Sequence, residues 1–184
     1  MQIEKNIYFI RHGECQANVD GVIAGASDDS PLTDFGRQQA KEAAYELKDI
    51  TFDLIISSPL QRALDTAKII AKELNIDTDE IIVSKEFIEK DVGPFTGKPK
   101  AEYYAFEKSG GETGETTIEM QDRVRQGLEW LRQQTFKNAL VVTHNGTVRM
   151  ARTVFENMPA KNFANMPQLS NGEYHKVNVM QAKF

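Results

Sequence analysis

Cysteine is almost missing from this 184-residue chain. Cys15 stands alone, which excludes an internal disulfide framework and leaves too few thiols for a cysteine-rich zinc site. No stretch is long and apolar enough to cross a membrane, and the opening MQIEKNIYFI lacks the long apolar core of a secretory signal. A cytoplasmic protein is the expectation. Basic residues are outnumbered, with 22 Lys and Arg against 27 Asp and Glu for a net charge of -5. They form no stripe, so a nucleic-acid partner is not expected. A small anionic ligand remains compatible, because a few arginines can reverse the field inside one cleft. There is no linker, repeat or low-complexity tract either. Residues 1–184 are therefore expected to form one domain, large enough to bury a core.

What the chain does contain is an alternation of apolar runs and amphipathic patterns. Five runs read as strands: Asn6–Ile10, Asp53–Ser57, Ile81–Val83, Ala139–Thr143 and Tyr174–Val179. The first, second and fourth are almost continuously apolar, as strands covered on both faces should be. Residues Asp34–Leu47 place Ala40, Ala43, Ala44 and Leu47 on one helical face, with Thr33 as N-cap. Pro59–Leu74 follows the same period, with Ser58 as cap, Pro59 in the first turn and Gln61 completing a capping box. Thr116 with Glu119 forms another such box, opening a helix with Met120, Val124, Leu128 and Leu131 inward. One more helix is expected after Gly146 and a short one around Ala101–Glu107, within the loop-like stretch Gly93–Gly114. The order implies an α/β fold, a three-layer αβα sandwich around a mainly parallel sheet.

Three of the strands end in the same way. NIYFI runs into Arg11, His12 and Gly13; DLIISS runs into a helix whose first turn carries Arg62; ALVVT runs into His144, Asn145 and Gly146. In a parallel sheet those ends share one edge, which is where α/β folds bind ligands. Two arginines and two histidines thereby reach one rim. Guanidinium forks suit a phosphate dianion, and the helix N-terminus near Pro59 adds peptide N–H groups. A histidine held as one tautomer can attack phosphorus and carry the group covalently, while a second can donate to a phosphoryl oxygen.

These motifs resemble the histidine phosphatase superfamily, also called phosphoglycerate mutase-like. RHGE with Asn18 resembles its signature, PLTDFGRQQA its first helix and SSPLQRALDTA its second arginine motif. FIEKDVGPFTG is similar to its acid-bearing loop, GETTIEMQDRV to its Gly-Glu-Ser/Thr segment and VVTHNGTVR to its second histidine motif. The matches keep the family's order and span most of the chain. The resemblance implies that His12 accepts the phosphoryl group, that Arg11, Arg62 and His144 complete the phosphate site, and that Asn18 is a further ligand. It implies Glu89, and not its neighbours Glu86 or Asp91, as the proton donor that later activates water. Asn145 counts among the substrate-contacting positions. It stands where glycine is usual, Cys15 stands where Ser or Thr is usual, and GVIAGASDDSPL carries one residue more than the family spacing.

Other residues read more plainly. His175, outside any motif, reads as structural or surface, and Cys15 as a small packing residue rather than a nucleophile. Glu112 and Glu115 read as solvated carboxylates, with Glu115 the better fit to the motif. Tyr103, Tyr104 and Phe106 read as a lid or as local packing, with contact to a substrate as the alternative. No His-x-x-x-His spacing appears and the arginines repel a cation, so neither metal nor other cofactor is expected. Family mutases resemble this chain in the core but carry a longer insertion after the acid loop. The short segment between Gly97 and GETT therefore favours hydrolysis of small phosphomonoesters. Phosphoglycerate mutase-type transfer is the alternative, and a phosphate-binding protein without catalysis a third. No membrane partner is expected, and the oligomeric state has no signature in the chain.

Overall fold

The computed structural model describes residues 4–179. Five strands, β1 (Asn6–Arg11), β2 (Leu54–Ser57), β3 (Ile82–Val83), β4 (Asn138–Thr143) and β5 (Tyr174–Asn178), form one sheet in the order β3-β2-β4-β1-β5. The pairs β1–β4, β2–β4 and β2–β3 are parallel, and β5 closes the β1 edge antiparallel. Among the described residues six α-helices accompany the sheet: α1 (Gln16–Val19), α2 (Asp34–Leu47), α3 (Gln61–Glu73), α4 (Lys100–Lys108), α5 (Thr117–Gln133) and α6 (Asn145–Phe155). None of the described helices is long and apolar enough to cross a membrane.

The continuous apolar runs are explained by the two faces of the sheet. Along β1, Ile7 and Phe9 point to one side, where Met120, Val124, Leu128 and Leu131 of α5 and Val148, Ala151 and Val154 of α6 meet them. Tyr8 and Ile10 point to the other, against Ala43, Ala44 and Leu47 of α2 and Ala63, Ala67 and Ile70 of α3. Period-two alternation thus feeds two cores, which is the expected three-layer sandwich.

The caps came out unevenly. Thr33 caps α2 by accepting from Gly36 N at 2.9 Å, and Thr116 and Glu119 form their reciprocal box. The cap expected at Ser58 does not form. Helix α3 starts at Gln61 with Leu60 as N-cap, and the Gln61 N–H donates instead to Asp29 Oδ1 at 2.6 Å. The Gln61 side chain turns to Asp65, so no capping box closes. Ser58 is drawn elsewhere because His144 lies beside it.

Two glycines fix how the loop after β1 sits on α2. A Cβ on Gly13 would lie 2.2 Å from Gly36 O, and one on Gly36 would lie 2.0 Å from Glu14 O. Backbone passes over backbone with no room for a side chain, and this close crossing directs residues 11–14 along the sheet edge.

Candidate active site

His12 leaves β1 with its backbone N–H bonded to Thr143 O on the neighbouring strand. Its Nδ1 lies 2.6 Å from Gly13 O. A carbonyl only accepts, so Nδ1 carries the proton and Nε2 keeps its lone pair. That lone pair meets Arg62 Nε at 3.2 Å. Burial, followed by the Arg62 and Arg11 charges, holds the His12 pKa well below the usual histidine value. The ring is therefore a neutral, tautomerically fixed base.

Arg62 is only 1% exposed, and its fork is anchored by Asp28 O at 2.5 Å and Gly25 O at 2.9 Å. Those carbonyls belong to the loop that carries the extra residue, so the loop braces the arginine. Arg11 donates to Leu169 O at 2.7 Å, while its Nε is buried with no partner among the described residues. Burial lowers both guanidinium pKa values, most strongly through desolvation, yet neither can deprotonate near neutrality.

His144, completely buried, lies edge-on to His12 with ring centroids 5.1 Å apart. Its Nε2 is 2.7 Å from Ser58 Oγ, and its Nδ1 has no partner among the described residues. Burial first, then Arg62, His12 and Arg11, pushes its pKa well below the ordinary value.

Glu89 comes from the loop before α4. Its Oε1 accepts from Lys90 N at 2.9 Å and its Oε2 from Gly146 N, in the first turn of α6, at 3.2 Å. The glycine is what lets the carboxylate come this close: a Cβ at residue 146 would stand 2.3 Å from Glu89 Oε1. Arg123 steadies the loop from α5 by donating to Glu86 O and Ile88 O while pairing twice with Glu115 at 2.7 Å. Glu115 is thus a structural partner, not a solvated carboxylate. Glu112 instead accepts from Thr117 at the start of α5.

Arg11, His12, Asn18, Arg62, Glu89 and Asn145 all border one cavity of about 90 Å³. His144 does not border it; its ring is buried, with its centroid 5.1 Å from that of His12. Asn18 presents its carbonyl oxygen to Cys15 N and to Asn171 Nδ2, which leaves its own amide N–H groups for a ligand. Asn145 Oδ1 accepts from Leu169 N at 3.0 Å. Tyr103 and Tyr104 reach the cavity, whereas Phe106 packs on Phe95. Cys15 borders it as a buried free thiol, and His175 lies half-buried on β5.

Four further residues of the site have no role assigned by the motifs, although Lys90 and Arg149 lie within two of them. Lys90, Lys100 and Arg149 bring three more cations to the cavity wall. Lys90 is neutralised by Glu107 at 3.3 Å; Arg149 is braced by Met166 O and Ala164 O with its guanidinium over Phe163. Arg149 had a signal, since it follows Asn145 by one helical turn and so shares its face. Asn171, which donates to His12 O at 3.0 Å and to Asn18 Oδ1 at 3.1 Å, had none.

Among the described residues no three His, Cys, Asp or Glu side chains converge as a metal site would require. Residues 7–184 match the family model of the histidine phosphatase superfamily, branch 1. The chain belongs to the histidine phosphatase superfamily. Within this superfamily it is 33% identical over 161 residues to a 2,3-bisphosphoglycerate-dependent phosphoglycerate mutase of Thermoplasma acidophilum, covering 81% of this chain and 75% of the relative. It is 32% identical over 149 residues to the uncharacterized phosphatase PhoE of Bacillus subtilis, covering 80% and 75%. The fold overlays on the alpha-ribazole phosphatase of Shigella flexneri with a TM-score of 0.81 at 27% identity, covering 93% and 89% of the two chains. Superfamily relatives are phosphatases and mutases, and the chain is an enzyme of that phosphoryl-transfer and hydrolase class.

Proposed function

We propose that the protein is a metal-independent phosphomonoesterase that hydrolyses small phosphorylated metabolites through a phosphohistidine on His12. The observation that carries this reading is the bond from His12 Nδ1 to Gly13 O, which leaves Nε2 neutral at the cavity wall. In the first step Nε2 attacks phosphorus while the ester P–O bond breaks, and Glu89 gives its proton to the leaving oxygen. Arg62 Nε releases the lone pair and takes a phosphoryl oxygen, joined by Arg11, Asn18 and His144. In the second step the Glu89 carboxylate accepts a proton from water as its oxygen attacks phosphorus. The P–N bond then breaks and inorganic phosphate leaves. Guanidinium groups supply the countercharge that a metal supplies in other phosphatases.

The wall beyond the phosphoryl centre narrows the substrate class. Among the described residues Lys100 and Arg149 have no ion pair of the kind Lys90 makes with Glu107, which favours a substrate with a second anionic group a short distance from its ester phosphate. A phosphoglycerate-like acid or a compact sugar bisphosphate carries such a group. The Thermoplasma mutase at 33% identity favours a second reading, transfer of the phosphoryl group back to a reoriented product.

The test is phosphate release from a panel of phosphomonoesters in EDTA, with His12→Ala beside the wild type. Release by the wild type alone, fastest for esters with a second anionic group, is the expected result. Isotopic exchange between positions of phosphoglycerate without net release would replace hydrolysis by the mutase reading. Equal turnover by His12→Ala would remove the phosphohistidine.

A further inference from the structure

Ser58 sits at the end of β2, where the sequence marks it as a helix cap, yet its hydroxyl lies 2.7 Å from His144 Nε2. Both residues are fully buried. Counting donors and acceptors settles which of them gives the proton. If Nε2–H donated to Ser58, the serine proton would be buried with no acceptor among the described residues and His144 Nδ1 would be an acceptor unsatisfied by them. If the serine donates, only one group is left over, the Nδ1–H, and it is a donor. The Leu60 N–H, 3.4 Å from Ser58 Oγ, takes a lone pair in either case and does not disturb the choice.

We infer that Ser58 is a positioning residue that holds His144 as its Nδ1–H tautomer, so that the one free group of that buried ring is a donor reserved for a phosphoryl oxygen. This rests on the phosphohistidine reading of the site. It also explains why a serine with a capping position available leaves the cap to Asp29. A neutral donor suits the place. An imidazolium beside Arg11 and Arg62 would repel them, whereas a neutral N–H bonds to the phosphoryl oxygen without adding charge. Burial and those two arginines hold the ring neutral at pH 7.

The experiment compares wild type, Ser58→Ala and Ser58→Thr. Histidine ring nitrogens are labelled with ¹⁵N, and two-bond proton–nitrogen spectra are taken at pH 7.5 with and without inorganic phosphate. The wild type should show His144 protonated at Nδ1, with that signal shifting when phosphate binds. Ser58→Ala should show a mixture or the Nε2–H form, with kcat reduced by about tenfold or more and KM changed far less. Ser58→Thr, which keeps the hydroxyl, should restore the tautomer and much of kcat. An Nε2–H signal in the wild type overturns the inference whatever the variants do, including if they fail to fold. So does a Ser58→Ala protein with unchanged tautomer and kcat. A wild type that releases no phosphate from any ester, yet shows the Nδ1–H signal and its shift with phosphate, counts against hydrolysis and not against Ser58.

Discussion

A methyl group on residue 146 would occupy the space now held by the Glu89 carboxylate. The added Cβ lies 2.3 Å from Oε1 and ordinary contact begins at 3.4 Å, so the carboxylate must retreat by about 1.1 Å. The obstacle is the tip of a flexible side chain, and Gly146 does not need the left-handed backbone region that only glycine adopts freely. Gly146→Ala should therefore fold normally, and replacing glycine in the first turn of α6 can add up to about 1 kcal/mol of helix stability. The chemistry should suffer instead. A misplacement of that size costs about a hundredfold in rate, or about 2.7 kcal/mol of barrier. Because Glu89 protonates the leaving oxygen, the loss should appear in kcat/KM for an alkyl phosphate. It should be much smaller for p-nitrophenyl phosphate, whose leaving group needs little protonation. The assay is kcat/KM for the two esters, wild type against variant, with a thermal melt alongside. Equal losses on both esters, or none on the alkyl one, would refute the placement of Glu89 as proton donor. A Tm lowered by more than a few degrees would refute the claim that the side chain simply yields.

Acid should destabilise the fold through its buried histidines. His12 and His144 are held neutral when folded, with pKa values pushed well below the usual one, while the unfolded chain takes up protons below about pH 6.5. Their contribution is thus complete above pH 6.5 and is lost as pH falls, by about 1.4 kcal/mol for each ring at pH 5.5. Urea midpoints should drop between pH 7.5 and 5.5, and by less in His12→Ala, where His144 and His175 remain. An unchanged midpoint would mean the rings are not neutral in the fold. Asn171→Ala removes both the bond to His12 O and the one that orients Asn18, each worth about 1 kcal/mol. A fall in kcat of roughly tenfold with a Tm lowered by about 4–8 °C is expected, and an unaffected kcat would show that neither contact matters to catalysis.

The sheet was legible because its strands are buried on both faces: Ile7 and Phe9 serve one core, Tyr8 and Ile10 the other. A chain with one solvated face would have spoken less clearly. The antiparallel pairing of β5 was not legible, since direction is set by how the chain returns from α6 and leaves no mark on Tyr174–Asn178. Arg11, His12, Arg62 and His144 could be placed together from strand endings alone, because a parallel sheet brings such endings to one edge. Glu89 needed the resemblance, as its loop has no periodic pattern to point it inward. Ser58 was misread for a physical reason: a serine before Pro59 satisfies every local rule for a cap, and the stronger claim on its hydroxyl comes from a residue 86 positions away. Asn171 lies in a loop whose position only the finished fold defines.

The strand order has a consequence for how the protein is made. β1 and β2 emerge early in synthesis, yet neither pairs with the other; both pair with β4, which begins at Asn138. Until the ribosome has passed that point, β1 has no partner and β2 has only the two-residue β3, a condition of bare strand edges that favours aggregation. The same late strand ends beside His144. Assembly of the sheet and appearance of the second histidine are therefore one event, separated from His12 by most of the translated length. A nascent chain stalled before β4 should be inert and dependent on holding by a chaperone. A chain released from the tunnel beyond β5 should gain its protease resistance and its affinity for phosphate together, which makes ligand binding a direct reporter of completed folding.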